Sequence, residues 1–369
     1  MEPTVRSQYI PQLDAIRALA FTLVVVVHYS VPTWEPALLD RGFLISQVVS
    51  SIIHCGWFGV PVFLFASGYS LANGKTEPGT SINFKDFYLN RLLRLYPLYI
   101  VALAILVYCR KVPVISLIGA TFLQTQDIFD GSAFTPLWSL QLESACYLLF
   151  PIFIVAITNR QRSTLKYFFA AMLMIRGFLF YLPAGQVWLL SYGTVFGGAT
   201  VFLAGMIGAA LPNIASRAKA WAMTLAGGML LILLTLFVSR IGGYQTASGL
   251  HATAFWLLFP EIMSTICFLL LKGAISLSQT PAGRRKPGIL HSLVVHIGRV
   301  SYSGYVFHLF VLDGYSHLGF TWQYGSLKHF AASFVLYYTL LIAFSHVTYN
   351  AIELPFLRYR RVYQKHKAA

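Results

Sequence analysis

The chain has 369 residues, of which 57% are hydrophobic and only 11% are charged, and its formal net charge is +15 at pH 7. A soluble domain carries about 25% charged residues, so this composition offers too little polar surface to cover a folded chain in water. It excludes an ordinary soluble protein and indicates an integral membrane protein that crosses the bilayer many times.

Ten apolar runs are candidates for membrane-spanning helices, each of which needs about 20 apolar residues. The runs lack the two-residue alternation that is typical of a β-barrel. The predicted spans are 14–33, 47–72, 95–109, 137–157, 167–182, 187–210, 221–238, 253–271, 296–314 and 329–350. The intervening segment 110–136 is expected to lie along the interface or to re-enter. We therefore predict an all-α polytopic bundle of about ten transmembrane helices. It forms a single domain, 1–369, with helices over about 14–350 and a short basic C-terminal tail, 351–369.

The basic residues favour one orientation of this bundle. With the N-terminus in the cytoplasm, twenty of the 27 lysines and arginines lie in cytoplasmic segments and five in external segments. The positive-inside rule then predicts that both termini are cytoplasmic, as in a multi-pass protein of the cell (inner or plasma) membrane. Because the charge is spread over helix ends that face anionic lipid, membrane lipid is an expected partner and nucleic acid is not.

The first run, LDAIRALAFTLVVVVHY, carries two ionisable residues that share a helix face, Arg17 and His28. They lie about 16 Å apart along the axis. Arg17 can pair with Asp14, three residues earlier, and either snorkels to the inner interface or serves the site. His28 lies at membrane depth, where an ionisable group is a functional candidate, although a structural hydrogen bond is the alternative.

The second run contains residues that permit close helix packing and bending, Gly56, Gly59 and Pro61. A cytoplasmic segment follows in which Arg91 and Arg94 are one helical turn apart. Paired guanidinium groups suit the binding of phosphate, and anchoring by the positive-inside rule is the alternative interpretation.

Later runs carry further polar residues at membrane depth. Glu143 lies five residues after Trp138, with Ser139 one turn away and His28 expected at a similar depth. The remaining candidates are a stripe at i, i+4 and i+7, formed by Ser301, Tyr305 and His308, and a late Glu353. Arg176, His251, Glu261, Asp313 and His346 stand without a surrounding pattern. The four cysteines lack metal-ligand spacing, so no metal site is predicted.

Taken in order, these residues resemble the membrane-bound acyltransferase 3 family over nearly the whole chain. Six motifs carry the resemblance: Arg17 and His28; Gly56, Gly59, Val60, Phe63, Ser67 and Gly68; Arg91 and Arg94; Trp138, Ser139, Leu140 and Glu143; Ser301, Tyr302, Tyr305 and His308; and Glu353 with Pro355. This chain has Asn90 where relatives often have a second arginine.

The resemblance implies ten helices and an enzyme that transfers an acyl group, commonly acetyl. The donor would be cytoplasmic acetyl-CoA or another acyl-CoA, acting as a substrate and not as a permanently bound cofactor. The acceptor would be a hydroxyl of a sugar, in a lipid-linked or cell-surface carbohydrate. A transporter of a small solute, a non-catalytic scaffold, and an acyltransferase acting on a small molecule such as an antibiotic are the alternatives.

The same resemblance suggests a role for each candidate. His28 suits the general base, Glu143 suits an orienting carboxylate for it, and Arg17 lines the conduit or holds phosphate. Arg91 and Arg94 are expected to bind the donor. Further site residues are expected among Ser139, Ser301, Tyr305, His308 and Glu353.

Overall fold

A computed structural model of the protein describes residues 9–33, 44–76, 80–110, 137–178, 184–241, 250–279, 288–320 and 327–366. Its helices are α1 Pro11–Thr33, α2 Leu44–His54, α3 Gly59–Ala72, α4 Phe84–Arg110, α5 Trp138–Thr158, α6 Arg162–Phe178, α7 Ala184–Gly193, α8 Val195–Ala210, α9 Arg217–Arg240, α10 Leu250–Ser278, α11 Ile289–His317, α12 Leu327–Thr348 and α13 Leu354–Leu357. A 3₁₀ turn at Gly56–Phe58 precedes α3, and a π-helical turn at Tyr349–Glu353 joins α12 to α13. Two short strands, β1 Thr80–Ile82 and β2 Gln364–His366, pair antiparallel.

The helical, membrane-spanning character of the fold is confirmed. Within the described residues, seven helices or joined helices are long and apolar enough to cross a membrane, and the pair Gln47–His54 and Gly56–Ala72 makes an eighth if it counts as one span. Each of the ten predicted runs overlaps a helix. However, α6 has only 17 residues, and α11 is a continuous helix whose sequence contains several polar residues. A total of ten spans and the orientation of the termini stay predictions.

The C-terminal segment is more ordered than the tail that the sequence predicts over 351–369. The helix continues to Leu357, and Gln364–His366 forms β2. The two strands are a small exception to the predicted all-α fold. They pair segments that lie far apart in the chain, so local sequence patterns do not reveal them. Residues 111–136, for which the sequence predicts an interfacial or re-entrant path, lie outside the described residues.

A bend of 53° separates α2 from α3. It lies where the chain packs directly on α1: a Cβ added at Gly56 would lie 2.0 Å from the carbonyl oxygen of Leu23, and one at Gly59 would lie 2.2 Å from that of Ala20. Only a residue without a side chain permits this approach. The bend therefore holds α3 against the first helix.

Helices α1 and α11 run in the same direction and touch along their length. A Cβ at Gly298 would lie 1.8 Å from the carbonyl oxygen of Asp14, and further along Gly304 packs on the Phe21 ring. This approach aligns the polar stripe of α11 with Arg17 and His28 of α1. Two sequence motifs that are far apart in the chain thereby become neighbours.

Candidate functional site

A cavity of about 720 Å³, counting the space at its mouth, lies between α1, α3, α4, α5 and α11. Seven of the ten predicted site residues line it: Arg17, Arg91, Arg94, Ser139, Glu143, Ser301 and Tyr305. Of the other three, His308 and Glu353 contact the lining residues Tyr305 and Arg94, and His28 contacts His308. We call the end of the bundle that carries Arg91, Arg94 and residues 358–366 the basic end.

Arg94 is held in place by a buried carboxylate. Its Nη1 forms an ion pair with Oε1 of Glu353, whose side chain is fully buried. Ser303 donates a hydrogen bond of 2.9 Å to Oε2 of the same carboxylate. The guanidinium also lies 5.1 Å from the centre of the Tyr302 ring. Glu353, which sequence reasoning places near the membrane interface, thus fixes one of the two arginines.

Arg91 has a different environment, made of aromatic rings. Its guanidinium carbon lies 5.6 Å from the Tyr147 ring centre and 5.8 Å from that of Phe87. Its Nε is buried and finds no hydrogen-bond partner among the described residues. An unpaired buried donor is costly, so a hydrogen bond to this group would be favourable. Because Arg91 lines the cavity, an anion bound there could supply the acceptor.

Arg17 reaches the cavity from α1 and keeps a local partner. Its Nη1 lies 3.0 Å from Oδ1 of Asp14, three residues earlier, as the sequence predicts. Tyr9 donates a hydrogen bond of 2.7 Å to the other carboxylate oxygen. The pair leaves Arg17 lining the cavity while its charge is balanced.

Glu143 lies on the cavity wall, and its partners differ from those expected. Oε1 accepts hydrogen bonds from Ser67, at 2.6 Å, and from Tyr147, at 2.5 Å. Glu143 does not pair with His28 as expected. The His28 ring instead contacts the carbonyl of Val24 and the ring of His308. The signal that sequence reasoning misses is Tyr147, which follows Glu143 by one helical turn.

The cavity ends at two hydroxyl groups. Ser139 Oγ and the Tyr305 hydroxyl lie 2.6 Å apart, on α5 and α11. Ser301, which belongs to the same polar stripe as Tyr305, donates to the carbonyl of Gly298 in its own helix at 2.8 Å. Ser139 and Tyr305 therefore form the end of the cavity that faces away from the arginines.

Two histidines meet behind Tyr305. His308 Nε2 lies 3.3 Å from His28 Nδ1, and the Tyr305 and His308 rings are 5.7 Å apart. His308 Nδ1 is 2.7 Å from the Tyr305 carbonyl, and His28 Nδ1 is 2.8 Å from that of Val24. A carbonyl oxygen only accepts, so a neutral ring at either position carries its proton on Nδ1. The lone pair of His28 is then on Nε2.

A second ion pair, in which the arginine is buried and the glutamate is partly exposed, lies away from this cavity. Arg176 of α6 and Glu261 of α10 form it, and Arg176 also donates to the carbonyl of Phe196 at 3.4 Å. Both residues stand without a pattern in the sequence, and no spacing rule joins helices so far apart. The pair gives a structural explanation for two of the intramembrane charges.

Comparison with known proteins bears directly on this site. A family model described as an acyltransferase domain matches residues 10–349. The chain belongs to the acyltransferase 3 family. The predicted resemblance and the prediction of an acyltransferase are thereby confirmed, and the matched range includes every cavity-lining residue.

Individual relatives of this family member are distant. The peptidoglycan O-acetyltransferase OatA of Listeria monocytogenes is 22% identical over 272 residues, which cover 64% of this chain and 40% of the relative. A protein of Staphylococcus aureus strain COL, provisionally named an O-acetyltransferase, is 28% identical over 188 residues, 44% of this chain and 28% of the relative. The chain thus spans less than half the length of these curated relatives. No solved structure matches it.

Proposed function

We propose that this acyltransferase moves an acyl group, in the first instance acetyl, from acyl-CoA to a hydroxyl of a carbohydrate acceptor. The proposal is carried by one observation: a single cavity has arginines at one end and, behind Tyr305 at the other end, a histidine pair. The names of the relatives, which are O-acetyltransferases, support transfer to oxygen.

The arginine end suits the donor. Acyl-CoA carries phosphate groups, and guanidinium groups bind phosphate with paired, charge-assisted hydrogen bonds. Arg91 has an unpaired Nε–H and Arg94 is oriented by Glu353. Arg17, whose charge is balanced by Asp14, adds a third guanidinium group along the wall. The thioester at the far end of the donor would then point toward Ser139 and Tyr305.

The basic end is proposed to face the cytoplasm. Twenty of the 27 lysines and arginines belong to segments on this side of the bundle when the N-terminus is cytoplasmic. Acyl-CoA is a charged cytoplasmic metabolite that does not cross lipid unaided. An enzyme embedded in the cell membrane with this orientation offers its phosphate-binding end to the compartment that holds the donor.

The histidine end suits proton transfer. In the proposed step, the acceptor oxygen attacks the thioester carbonyl while His28 Nε2 takes the hydroxyl proton. The new carbon–oxygen bond forms, the carbon–sulfur bond breaks, and the proton passes to the departing thiolate. Ser139 and Tyr305 are hydrogen-bonded to each other, so one of the two hydroxyls is left to donate to the carbonyl oxygen as it gains charge. His308 contacts the His28 ring and positions it. Glu143 stabilises the cavity wall by accepting hydrogen bonds from Ser67 and Tyr147.

The proposed acceptor is a lipid-linked or cell-surface carbohydrate. Support comes from the relative whose name specifies peptidoglycan. A small-molecule acceptor such as an antibiotic is the competing possibility, and it would use the same donor and the same histidine. The choice of acceptor is therefore a separate question from the reaction.

The test is release of CoA by the purified protein in lipid nanodiscs. Wild type with acetyl-CoA and a mixture of oligosaccharides and lipid-linked sugars should release free thiol, and label from the acetyl group should appear on a sugar. His28→Ala and Arg91→Ala should each abolish most of this release. Arg217→Ala removes an exposed arginine at the start of α9 and should leave it unchanged. A transporter or a scaffold would release no CoA with any acceptor.

A further inference from the structure

The segment that follows α13 folds back along the first turns of α4. We call residues 358–366 the C-terminal strap. Its last three residues form β2, which pairs with β1 so that Thr80 lies opposite His366 and Ile82 lies opposite Gln364. The backbone N–H of Asn83 donates to the Tyr363 carbonyl at 2.8 Å and continues the ladder toward α4.

Asn90 clamps the middle of the strap. Its side-chain amide donates to the carbonyl of Arg361 at 2.7 Å, and its Oδ1 accepts from the N–H of the same residue at 2.9 Å. Asn90 is only 2% exposed, so both bonds are shielded from water. An arginine at this position would have no acceptor and could not make the second bond. The clamp is therefore a feature of this chain's own residue.

Two side chains of the strap reinforce its position. Tyr363 packs its ring 5.6 Å from that of Phe87, and Nζ of Lys75 lies 5.4 Å from the centre of the Tyr363 ring. Arg361 Nη1 forms an ion pair of 3.3 Å with Asp86 on α4. These contacts fasten the strap next to the helical turns that carry the two arginines of the donor site.

Arg360 is left as an uncompensated cation. Within the described part of the chain it makes no ion pair, although it remains accessible to solvent. Arg360 directly precedes Arg361, whose backbone is hydrogen-bonded to Asn90, the residue before Arg91 in α4, so the strap lies beside the helical turn that carries the arginines. Partial burial, and then the positive charges of Arg94 and Arg91, lower the pKa of Arg360 to about 9. Clustered arginines that repel one another are stabilised when an anion binds between them.

We propose that the C-terminal strap supplies Arg360 as a further cation of the phosphate-binding site formed by Arg91 and Arg94, and that Asn90 is the residue that positions it. This inference rests on the proposed function, because it takes the phosphate groups of acyl-CoA as the anion. It extends the donor site beyond the cavity wall to a segment that passes the basic end of the bundle.

The test measures CoA binding by calorimetry with the full-length protein in nanodiscs. Arg360→Ala should weaken binding about 10-fold, the effect of losing one charge-assisted hydrogen bond, and Arg360→Lys should weaken it less. Arg358→Ala removes the same charge from an exposed position in the same strap and should change affinity less than about 2-fold. Turnover of S-acetylpantetheine, a donor without phosphate, should be equal in wild type and Arg360→Ala.

Asn90 is tested by non-additivity. Asn90→Ala should weaken CoA binding in the wild-type background and have little further effect when Arg360→Ala is already present. The inference is overturned if Arg360→Ala binds CoA like wild type, if Arg358→Ala causes the same loss, or if S-acetylpantetheine turnover falls in parallel. A wild-type protein that binds no CoA would overturn the proposed donor as well, so the two failures are distinct.

Discussion

His28 and His308 meet edge to face, with ring centres 4.9 Å apart and ring planes inclined at 62°. They come from helices that run in the same direction, and each ring is oriented by a backbone carbonyl one turn earlier in its own helix. The two rings are therefore not equivalent. The lone pair of His28 is on Nε2, the atom proposed to take the proton, whereas His308 Nε2 faces the His28 ring.

The first prediction concerns His28. His28→Ala should lower turnover by about 10²–10⁴-fold, the usual loss when a general base is removed. CoA affinity should be nearly unchanged, because the arginines at the basic end are intact. Steady-state acetyl transfer and calorimetry on equally folded protein check both expectations. Wild-type turnover in this variant would mean that the base lies elsewhere, with His308 as the next candidate.

The second prediction separates His308 from a histidine of purely structural character. His308→Ala should lower turnover less than His28→Ala, because His308 positions the base without touching the acceptor. The matched control is His346→Ala, since His346 packs against His296 at 5.1 Å, on α12 and α11. That variant should keep full turnover. Equal losses for His308→Ala and His346→Ala would contradict a specific role for the His28 pair.

The third prediction distinguishes the two arginines of the donor site. Arg91→Ala should weaken CoA binding by about 1.5–3 kcal/mol and leave thermal stability nearly unchanged. Arg94→Ala should also destabilise the fold by about 3–5 kcal/mol, because Glu353 is left buried without a counter-charge. Adding Glu353→Gln to Arg94→Ala should restore part of the stability and none of the affinity. Thermal melts and calorimetry would show a different pattern if both arginines only anchor the protein at the membrane surface.

Sequence reasoning selects many of the polar residues that line the candidate cavity, because intramembrane charge is rare enough to be informative. Arg17, Arg91, Arg94 and Glu143 all line one cavity, although they come from three separate helices. The partners are harder to identify. Glu143 is the carboxylate nearest to His28 in predicted depth, but side-chain direction around each helix decides such pairs, and depth alone does not give it.

The fourth prediction concerns the contact between α1 and α11. Gly298→Ala should force the two helices apart, because the added Cβ would overlap the Asp14 carbonyl. We expect a lower melting temperature together with reduced turnover, since the two helices present the histidines. Gly314→Ala lies in the same helix in open space and should be neutral or stabilising by up to about 1 kcal/mol. Equal melting temperatures for the two variants would exclude the close approach.

The fifth prediction fixes the orientation in the membrane. In a Cys109→Ser background, a cysteine at Ile241, after α9, should react with a membrane-impermeant reagent in intact cells. A cysteine at Gln279, after α10, should react only after the cells are opened. The three other native cysteines are buried and serve as internal controls. The reverse pattern would put the arginine end outside and remove the basis for a cytoplasmic donor.

The helices are predictable from the sequence, whereas the short strands that hold the C-terminal strap are not. Apolar runs mark long helices well, which is why all ten runs overlap helical segments. Apolar runs do not predict the strap, because β1 and β2 have only three residues each and are separated by most of the chain. One of the residues that hold it in place is Asn90, which stands out in the sequence only as a departure from the family pattern.

The pairing of Arg94 with Glu353 also has a consequence for biosynthesis. Arg17 has its counter-charge three residues away, so α1 can enter lipid with that charge balanced. Glu353 lies far downstream, and at about 5–20 residues per second it is translated roughly 10–50 s after Arg94. During that interval the nascent bundle carries an arginine without its carboxylate. We therefore expect substitutions at Glu353, which leave Arg94 permanently without its carboxylate, to reduce the amount of folded protein in the membrane.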